Sequence, residues 1–314
     1  MKHPLVLEIK GNALDDGPGI RSVVFFKGCP LSCTWCHNPE SKRTGVEIGF
    51  HAKTCVGCDT CTGVCPENAL SRNNPFFIDR SACTLCFQCA DTCPSGALSR
   101  IGTAMTIDEI VAKVIRDKPF YDTSGGGVTF SGGEPTLFMA FTGALAKTLK
   151  AGGIHTLLET CGFFDTGRFF DCAYPWLDMI YYDIKLIDPA AHARYCGLSN
   201  ERILRNFKAL HQRAQAGGVP VLPRIPLIPG ITDADDNIKG IAGFLASLGV
   251  TQAGLLPYHP LWREKNHKIG IAPGLPNPGS PNNEAAAQTM AQWMNKQAIE
   301  KCRAVFEASG IRIL

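Results

Sequence analysis

The chain has no uninterrupted apolar run of about 18 residues, so its sequence predicts no membrane-spanning helix. It is also poor in charge. Asp, Glu, Lys and Arg make up only 19%, which excludes a disordered chain held open by its own charge. The net charge of +3 is too small to argue for a nucleic-acid partner. Met1-Lys2-His3-Pro4 leads into an apolar run broken by Glu8 and Lys10, which does not read as a secretory signal. These absences predict a cytoplasmic protein with no membrane partner. The 314 residues allow one or two domains.

Cysteine is what the chain has in excess, with 15 copies. The odd number excludes complete pairing within one chain, and a reducing compartment favours metal binding over disulfides. Cys29, Cys33 and Cys36 form one group, and eight more lie between Cys55 and Cys93. Cys161, Cys172, Cys196 and Cys302 are isolated. Of these, Cys161 reads as a free thiol near a pocket, because no paired base accompanies it. The other three read as core fillers.

The group of eight is an internal repeat. Cys55, Cys58, Cys61 and Cys65 recur 28 residues later as Cys83, Cys86, Cys89 and Cys93, with Pro66 and Pro94 following. Each copy reads C-x2-C-x2-C-x3-C-P, the bacterial ferredoxin run, in which the fourth cysteine crosses to the other cluster. The spacing predicts one 4Fe–4S cluster on Cys55, Cys58, Cys61 and Cys93. A second falls on Cys83, Cys86, Cys89 and Cys65. Zinc knuckles would favour two well-separated cysteine pairs, often with histidine, and neither is seen here.

Cys29-Pro30-Leu31-Ser32-Cys33-Thr34-Trp35-Cys36 reads C-x3-C-x2-C and follows Ile20–Phe26, a run with the composition of a buried strand. Three thiolates hold three corners of a cubane and leave one iron open to a small molecule. His37 reads as a cap on this loop. Thr106-Ile107-Asp108-Glu109 is a capping box opening a helix, which Pro119 is expected to end.

Gly125–Pro135 reads as a short strand that runs straight into Gly132, Gly133 and Glu134. Glycines there are expected to admit a ligand close to the backbone. Further strands are expected at Ile154–Thr160, Met179–Lys185, Val219–Pro226 and Ala253–His259, with helical segments between them. This alternation predicts a parallel sheet closing toward a barrel, with its site at the strand C-termini. Asp183 and Lys185 fall on one face of their strand. Pro273–Asn283 reads as a loop and the residues after it as a final helix ending near Ser309, stopped by Gly310.

Taken in order, these motifs resemble the radical S-adenosylmethionine (SAM) superfamily. Within it they resemble the glycyl radical enzyme activating enzymes, relatives of the pyruvate formate-lyase activating enzyme. The matching stretches are Asp16–Arg21, Cys29–Asn38, Ser131–Glu134, Asp183–Lys185, Arg224–Gly230 and Leu256–His259. The resemblance implies an α/β fold, a partial (β/α)6 TIM-like barrel with an inserted ferredoxin-like domain carrying two 4Fe–4S clusters. The divisions would be residues 1–49 (first part of the barrel), 50–102 (the insertion) and 103–314 (the rest of the barrel and the C-terminal helix).

It also implies the activity: reductive cleavage of SAM at a 4Fe–4S cluster, and transfer of a hydrogen atom from a glycine Cα of a partner enzyme to the 5′-deoxyadenosyl radical. Cys29, Cys33 and Cys36 would hold the site cluster, and Lys185 would join them as a catalytic residue. Trp35 would shield the cluster. Gly132, Gly133, Glu134, Asp183, Lys185, Arg224 and His259 would surround SAM, with Glu134 on its amino group and His259 near the adenine. Glu159, Thr160 and Asp183 match a monovalent-cation site in the relative, which has aspartate in place of Glu159 and methionine in place of Tyr181. Asp16 would contact the partner's glycine loop. A ferredoxin or flavodoxin would supply electrons, giving three clusters in all. The competing functions are a radical SAM enzyme for a small molecule or peptide, and a multi-cluster electron-transfer protein. The last leaves Glu134, Arg224 and His259 without a task.

Overall fold

The β-branched and aromatic runs pair into one large sheet and one hairpin. The strands are β1 (Leu5–Ala13), β2 (Arg21–Lys27), β3 (Glu47–Phe50), β4 (Leu98–Ile101), β5 (Thr103–Ala104), β6 (Gly127–Gly132), β7 (His155–Thr160), β8 (Met179–Asp183), β9 (Val221–Leu227), β10 (Gln252–Pro257) and β11 (Arg312–Ile313). This computed structural model describes residues 3–272 and 290–314. The loop expected at Pro273–Asn283 lies outside the described residues.

The large sheet has the order β11-β10-β9-β8-β7-β6-β2-β1-β5. From β2 through β6 to β11 the neighbours run parallel. Helices Met139–Ala151, Thr166–Cys172, Glu201–Gln215 and Asp235–Ser247 make the crossovers that parallel pairing requires. Because the strand order steps in one direction, right-handed crossovers put these helices on one face of the sheet; Val23, Val24, Phe26, Val128, Phe130, Leu157 and Leu158, from both faces, are buried. This is an α/β fold with a mostly parallel central sheet, and none of its described helices is long and apolar enough to cross a membrane.

Three local expectations change. The broken apolar run at the N-terminus is strand β1, antiparallel to β2, with register shifts on either side of Glu8–Lys10. Pro119 does not stop the Ile107–Val114 helix; it occupies the first turn of the next one, Lys118–Ser124, where its missing N–H costs nothing. The last helix, Lys296–Ala308, begins at a cap where Asn295 accepts from the Ala298 N–H, so Met290, Trp293 and Met294 precede it.

The segment between β3 and β4 has its own small core of Ile48, Phe50, Leu70, Phe77, Ile78, Phe87 and Leu98. The 28-residue repeat reaches its backbone. Left-handed residues occur in matched pairs: Gly57 and Leu85, Asp59 and Phe87, Asn68 and Gly96. Each copy turns in the same way at the same points even where no glycine eases it.

Candidate functional site

The C-terminal ends of the parallel strands enclose a cavity of about 230 Å³. Cys29, Cys33, Trp35 and Cys36 from the β2 loop form part of its wall. Ser131, Gly132 and Gly133 come from β6, and Glu159, Thr160 and Cys161 from β7. Asp183 and Lys185 from β8 and Arg224 from β9 complete the polar lining. The three loop cysteines and the three charged residues of the later motifs, 147 to 195 residues downstream of Cys29 and Cys36 in sequence, therefore share one space.

The Gly132-Gly133-Glu134 turn is bolted to the cluster loop. The Gly133 N–H donates to the Phe26 carbonyl at 2.8 Å and the Glu134 N–H to the Gly28 carbonyl at 2.8 Å. A Cβ on Gly133 would meet the Gly28 carbonyl oxygen at 2.1 Å. The backbone at and just after the end of β2 thus makes a close approach that itself requires glycine here.

Glu134 is fully buried and lies outside the cavity wall. Its carboxylate accepts from the Thr136 N–H and Oγ1, from Thr160 Oγ1 at 2.9 Å and from the Cys161 N–H at 2.7 Å. It holds the β7 turn in place. His259 is not part of the wall; its ring lies against His37, tilted by 35° with centroids 4.1 Å apart, and His37 is the one that reaches the cavity. Asp16 is outside the wall too, and burial raises its carboxyl pKa. Its loop is pinned by Arg21, whose buried guanidinium donates to Thr129 Oγ1, Val128 O and Pro18 O.

Two contacts escaped the sequence. The Pro189–Cys196 helix ends against the cluster loop, where the Ser32 N–H donates to Cys196 O at 2.9 Å and the Thr34 N–H to Tyr195 O at 3.0 Å. The Cys196 thiol, expected as core filler, hydrogen-bonds Cys33; with Lys185 and Lys42 nearby, this brings the Cys33 thiol down to about 7 despite burial. On the other side Cys161 hydrogen-bonds Cys29. Helix-packing cysteines carry no motif, so only the fold shows this pairing.

Charge in the cavity is closely balanced. Burial pulls Lys185 down, but Asp183 and the cysteines outweigh it and keep the ammonium protonated. Asp183 is held below its ordinary range, as Lys185 and Arg224 overcome its burial. Burial raises Glu159 against the pull of Arg224.

Residues 23–239 match the radical SAM superfamily. The chain belongs to that superfamily. An isethionate sulfite-lyase activating enzyme of Nitratidesulfovibrio vulgaris is 44% identical over 269 residues, which cover 84% of this chain and 86% of that protein. A trans-4-hydroxy-L-proline dehydratase activating enzyme of Clostridioides difficile is 40% identical over 274 residues, covering 85% and 88%. A radical SAM methyltransferase structure from Sphaerobacter thermophilus shares the fold, with a TM-score of 0.50 at 13% identity, covering 98% of this chain and 76% of that one. Within the superfamily, the chain is one of the glycyl radical enzyme activating enzymes.

Radical SAM enzymes use a 4Fe–4S cluster and SAM. The loop fits this cluster: three thiols face one cavity, and Trp35, only 4% exposed, closes it toward the core. Among the described residues no three His, Cys, Asp or Glu side chains converge to hold a single ion.

The segment between β3 and β4 places its cysteines in two groups. Cys55, Cys58, Cys61 and Cys93 line one small cavity. Cys65, Cys83 and Cys86 all act on Cys89, whose thiol burial first raises to about 11.

The monovalent cation fits poorly. Glu159 accepts from Arg224 Nη1 at 2.5 Å and from Ser131 Oγ at 2.5 Å. Asp183 accepts from Arg224 Nε and Nη2 at 3.2 and 3.1 Å and from Lys185 Nζ at 2.9 Å. Thr160 Oγ1 donates to Glu134. The expected ligands stand together, but a guanidinium over the Tyr181 ring, 4.9 Å from its centroid, already bridges them.

Proposed function

We propose that this activating enzyme works in the strand-end cavity, with Cys29, Cys33 and Cys36 holding the site cluster and SAM lying between them and Asp183, Lys185 and Arg224. The shared cavity wall carries the reading. The bound cluster supplies one low-potential electron, which breaks a carbon–sulfur bond of the SAM sulfonium and yields methionine and a 5′-deoxyadenosyl radical. The protein orients these reactants and excludes water. Lys185 and Arg224 offer cationic donors to the carboxylate of SAM, and Asp183 an acceptor for its ribose. His37 on the cavity wall, with the tilted ring of His259 against it, offers an aromatic surface suited to an adenine.

The substrate is a glycine Cα–H of a partner glycyl radical enzyme. Captodative stabilisation, between an amide nitrogen and a carbonyl, makes the hydrogen transfer downhill. The six strands from β2 and β6 to β10 form the partial barrel, and residues 50–102 form a ferredoxin-like insertion with two further clusters. These relay electrons from a ferredoxin or flavodoxin. Asp16, on the loop leading from β1 into β2, meets the partner's glycine loop.

The test is electron paramagnetic resonance of candidate partners after anaerobic incubation with the protein, SAM and reductant. A glycine-centred doublet together with 5′-deoxyadenosine is expected. Formation of 5′-deoxyadenosine on a small substrate, with no doublet on any plausible partner, overturns the reading.

A further inference from the structure

The cavity side of the sheet is layered by strand register. Thr129, Leu157 and Met179 stand abreast on β6, β7 and β8. Two residues further along, Glu159, Tyr181 and Leu222 stand abreast on β7, β8 and β9. Two further still are Asp183, Arg224 and Gly254 on β8, β9 and β10. Side chains two apart share one face of a strand. Tyr181 therefore points the same way as Asp183 and Glu159, both on the cavity wall.

We infer that the Tyr181 hydroxyl positions the partner's backbone next to the reacting glycine, by a hydrogen bond to one of its peptide groups. This rests on the reading that Asp16 and the strand-end cavity together serve a partner's glycine loop.

Tyr181 stands between the two. On one side, the Arg224 guanidinium lies over the Tyr181 ring, 4.9 Å from its centroid, and lines the cavity. On the other is the Asp16 loop, anchored to the layer before Tyr181: Thr129 Oγ1 donates to Asp16 O at 2.8 Å. Arg21 Nη1 donates to Pro18 O of the same loop at 3.1 Å. After burial, the strongest influence on this Arg21 is the Tyr181 phenol. The phenol in turn senses Glu159 and Asp16. A segment that touches Asp16 while its glycine enters the cavity has to cross the layer of Tyr181.

The hydroxyl is available to that segment. Among the described residues it makes no hydrogen bond, and the side chain is half-buried. The next residue is the contrast: Tyr182 is fully buried and its Oη donates to Ile203 O at 2.6 Å. Burial raises the Tyr181 pKa, so the phenol keeps its proton at neutral pH. It can donate to a peptide carbonyl or accept from a peptide N–H. Solvent at such a half-open phenol gives way to a peptide group at little cost. The ring has a separate task, the cation–π hold on Arg224.

The test compares holoenzymes, anaerobically, with the partner that gives the glycine-centred doublet. Tyr181→Phe removes only the hydroxyl and keeps the ring beneath Arg224. The partner concentration for half-maximal doublet formation should rise roughly 3- to 10-fold, the worth of one hydrogen bond. More 5′-deoxyadenosine should form per glycyl radical, because the glycine is held less squarely. Tyr181→Leu removes the ring as well and should also weaken SAM binding by calorimetry. A rise below about twofold in Tyr181→Phe, or an unchanged ratio of the two products, overturns the inference, since only the hold on Arg224 then matters. A lower denaturation midpoint of Tyr181→Phe without partner also overturns it, by showing the hydroxyl bonded within the fold. No doublet from wild type with any plausible partner overturns the proposed function, and this inference with it.

Discussion

The Cα of Gly133 stands so near the Gly28 carbonyl that a Cβ between them would be 2.1 Å from the oxygen. Because the obstacle is backbone, it cannot swing aside. Gly133→Ala is expected to push the end of β2 outward, to destabilise the fold by about 1–3 kcal/mol as overpacking does, and to misplace Cys29. Iron analysis and denaturant unfolding should show a less stable protein whose site cluster is incomplete. Full iron loading at wild-type stability would contradict this contact.

Arg224 bridges Glu159 and Asp183. Arg224→Met leaves the Glu159 carboxylate, 10% exposed, without its cation while Asp183 keeps Lys185, and breaking a largely buried pair in this way costs up to about 3–5 kcal/mol. A reduced denaturation midpoint and weaker SAM binding by calorimetry are expected together.

The same guanidinium takes up the oxygens that a monovalent cation would need. SAM affinity of the wild type should be the same, within about twofold (about 0.4 kcal/mol), in potassium-free buffer and in potassium chloride matched for ionic strength with a bulky organic cation. A tenfold tightening by potassium or sodium would show that the arginine yields the site.

Lys27 and Glu47 form a buried pair between β2 and β3, with the more exposed Arg43 also reaching Glu47. Lys27→Met should destabilise by about 3–5 kcal/mol, because Glu47 is left without its buried partner. Lys27→Met combined with Glu47→Leu should recover most of that loss, measurable as a double-mutant cycle.

His192 is 1% exposed and its Nδ1 lies 2.5 Å from the Leu198 carbonyl. Burial lowers its pKa below the ordinary 6.5. In the folded state it stays neutral where the unfolded chain takes up a proton. Its contribution is therefore full above about pH 6.5 and falls with pH below that, by at most about 1.4 kcal/mol per pH unit. Unfolding midpoints at pH 7.5 and 5.5 should differ less in His192→Gln than in wild type.

Much of this was legible in the chain. The parallel strands announce themselves because both their faces are buried, leaving apolar runs such as Val23–Phe26 and Leu157–Leu158 with turns at either end. β1 hid because one side of it meets solvent, placing Glu8 and Lys10 within an otherwise apolar run. Pro119 was ambiguous because proline both closes one helix and opens the next. In the site, the cysteine spacing and the Asp183, Lys185 and Arg224 motifs marked one cavity. The Cys196–Cys33 and Cys161–Cys29 contacts and the backbone neighbour of Gly133 arise only when distant segments pack. The Arg224 bridge across Glu159 and Asp183 likewise depends on three adjacent strands in register.

Both margins of the large sheet end in strands of two residues, β5 and β11. Each stub covers only part of its neighbour: β5 pairs Leu5 and Val6 of β1, and β11 pairs Gln252 and Ala253 of β10. Among the described residues, 7–13 of β1 and 254–257 of β10 have no strand beyond them, so the room this sheet leaves for a further backbone lies along those two stretches.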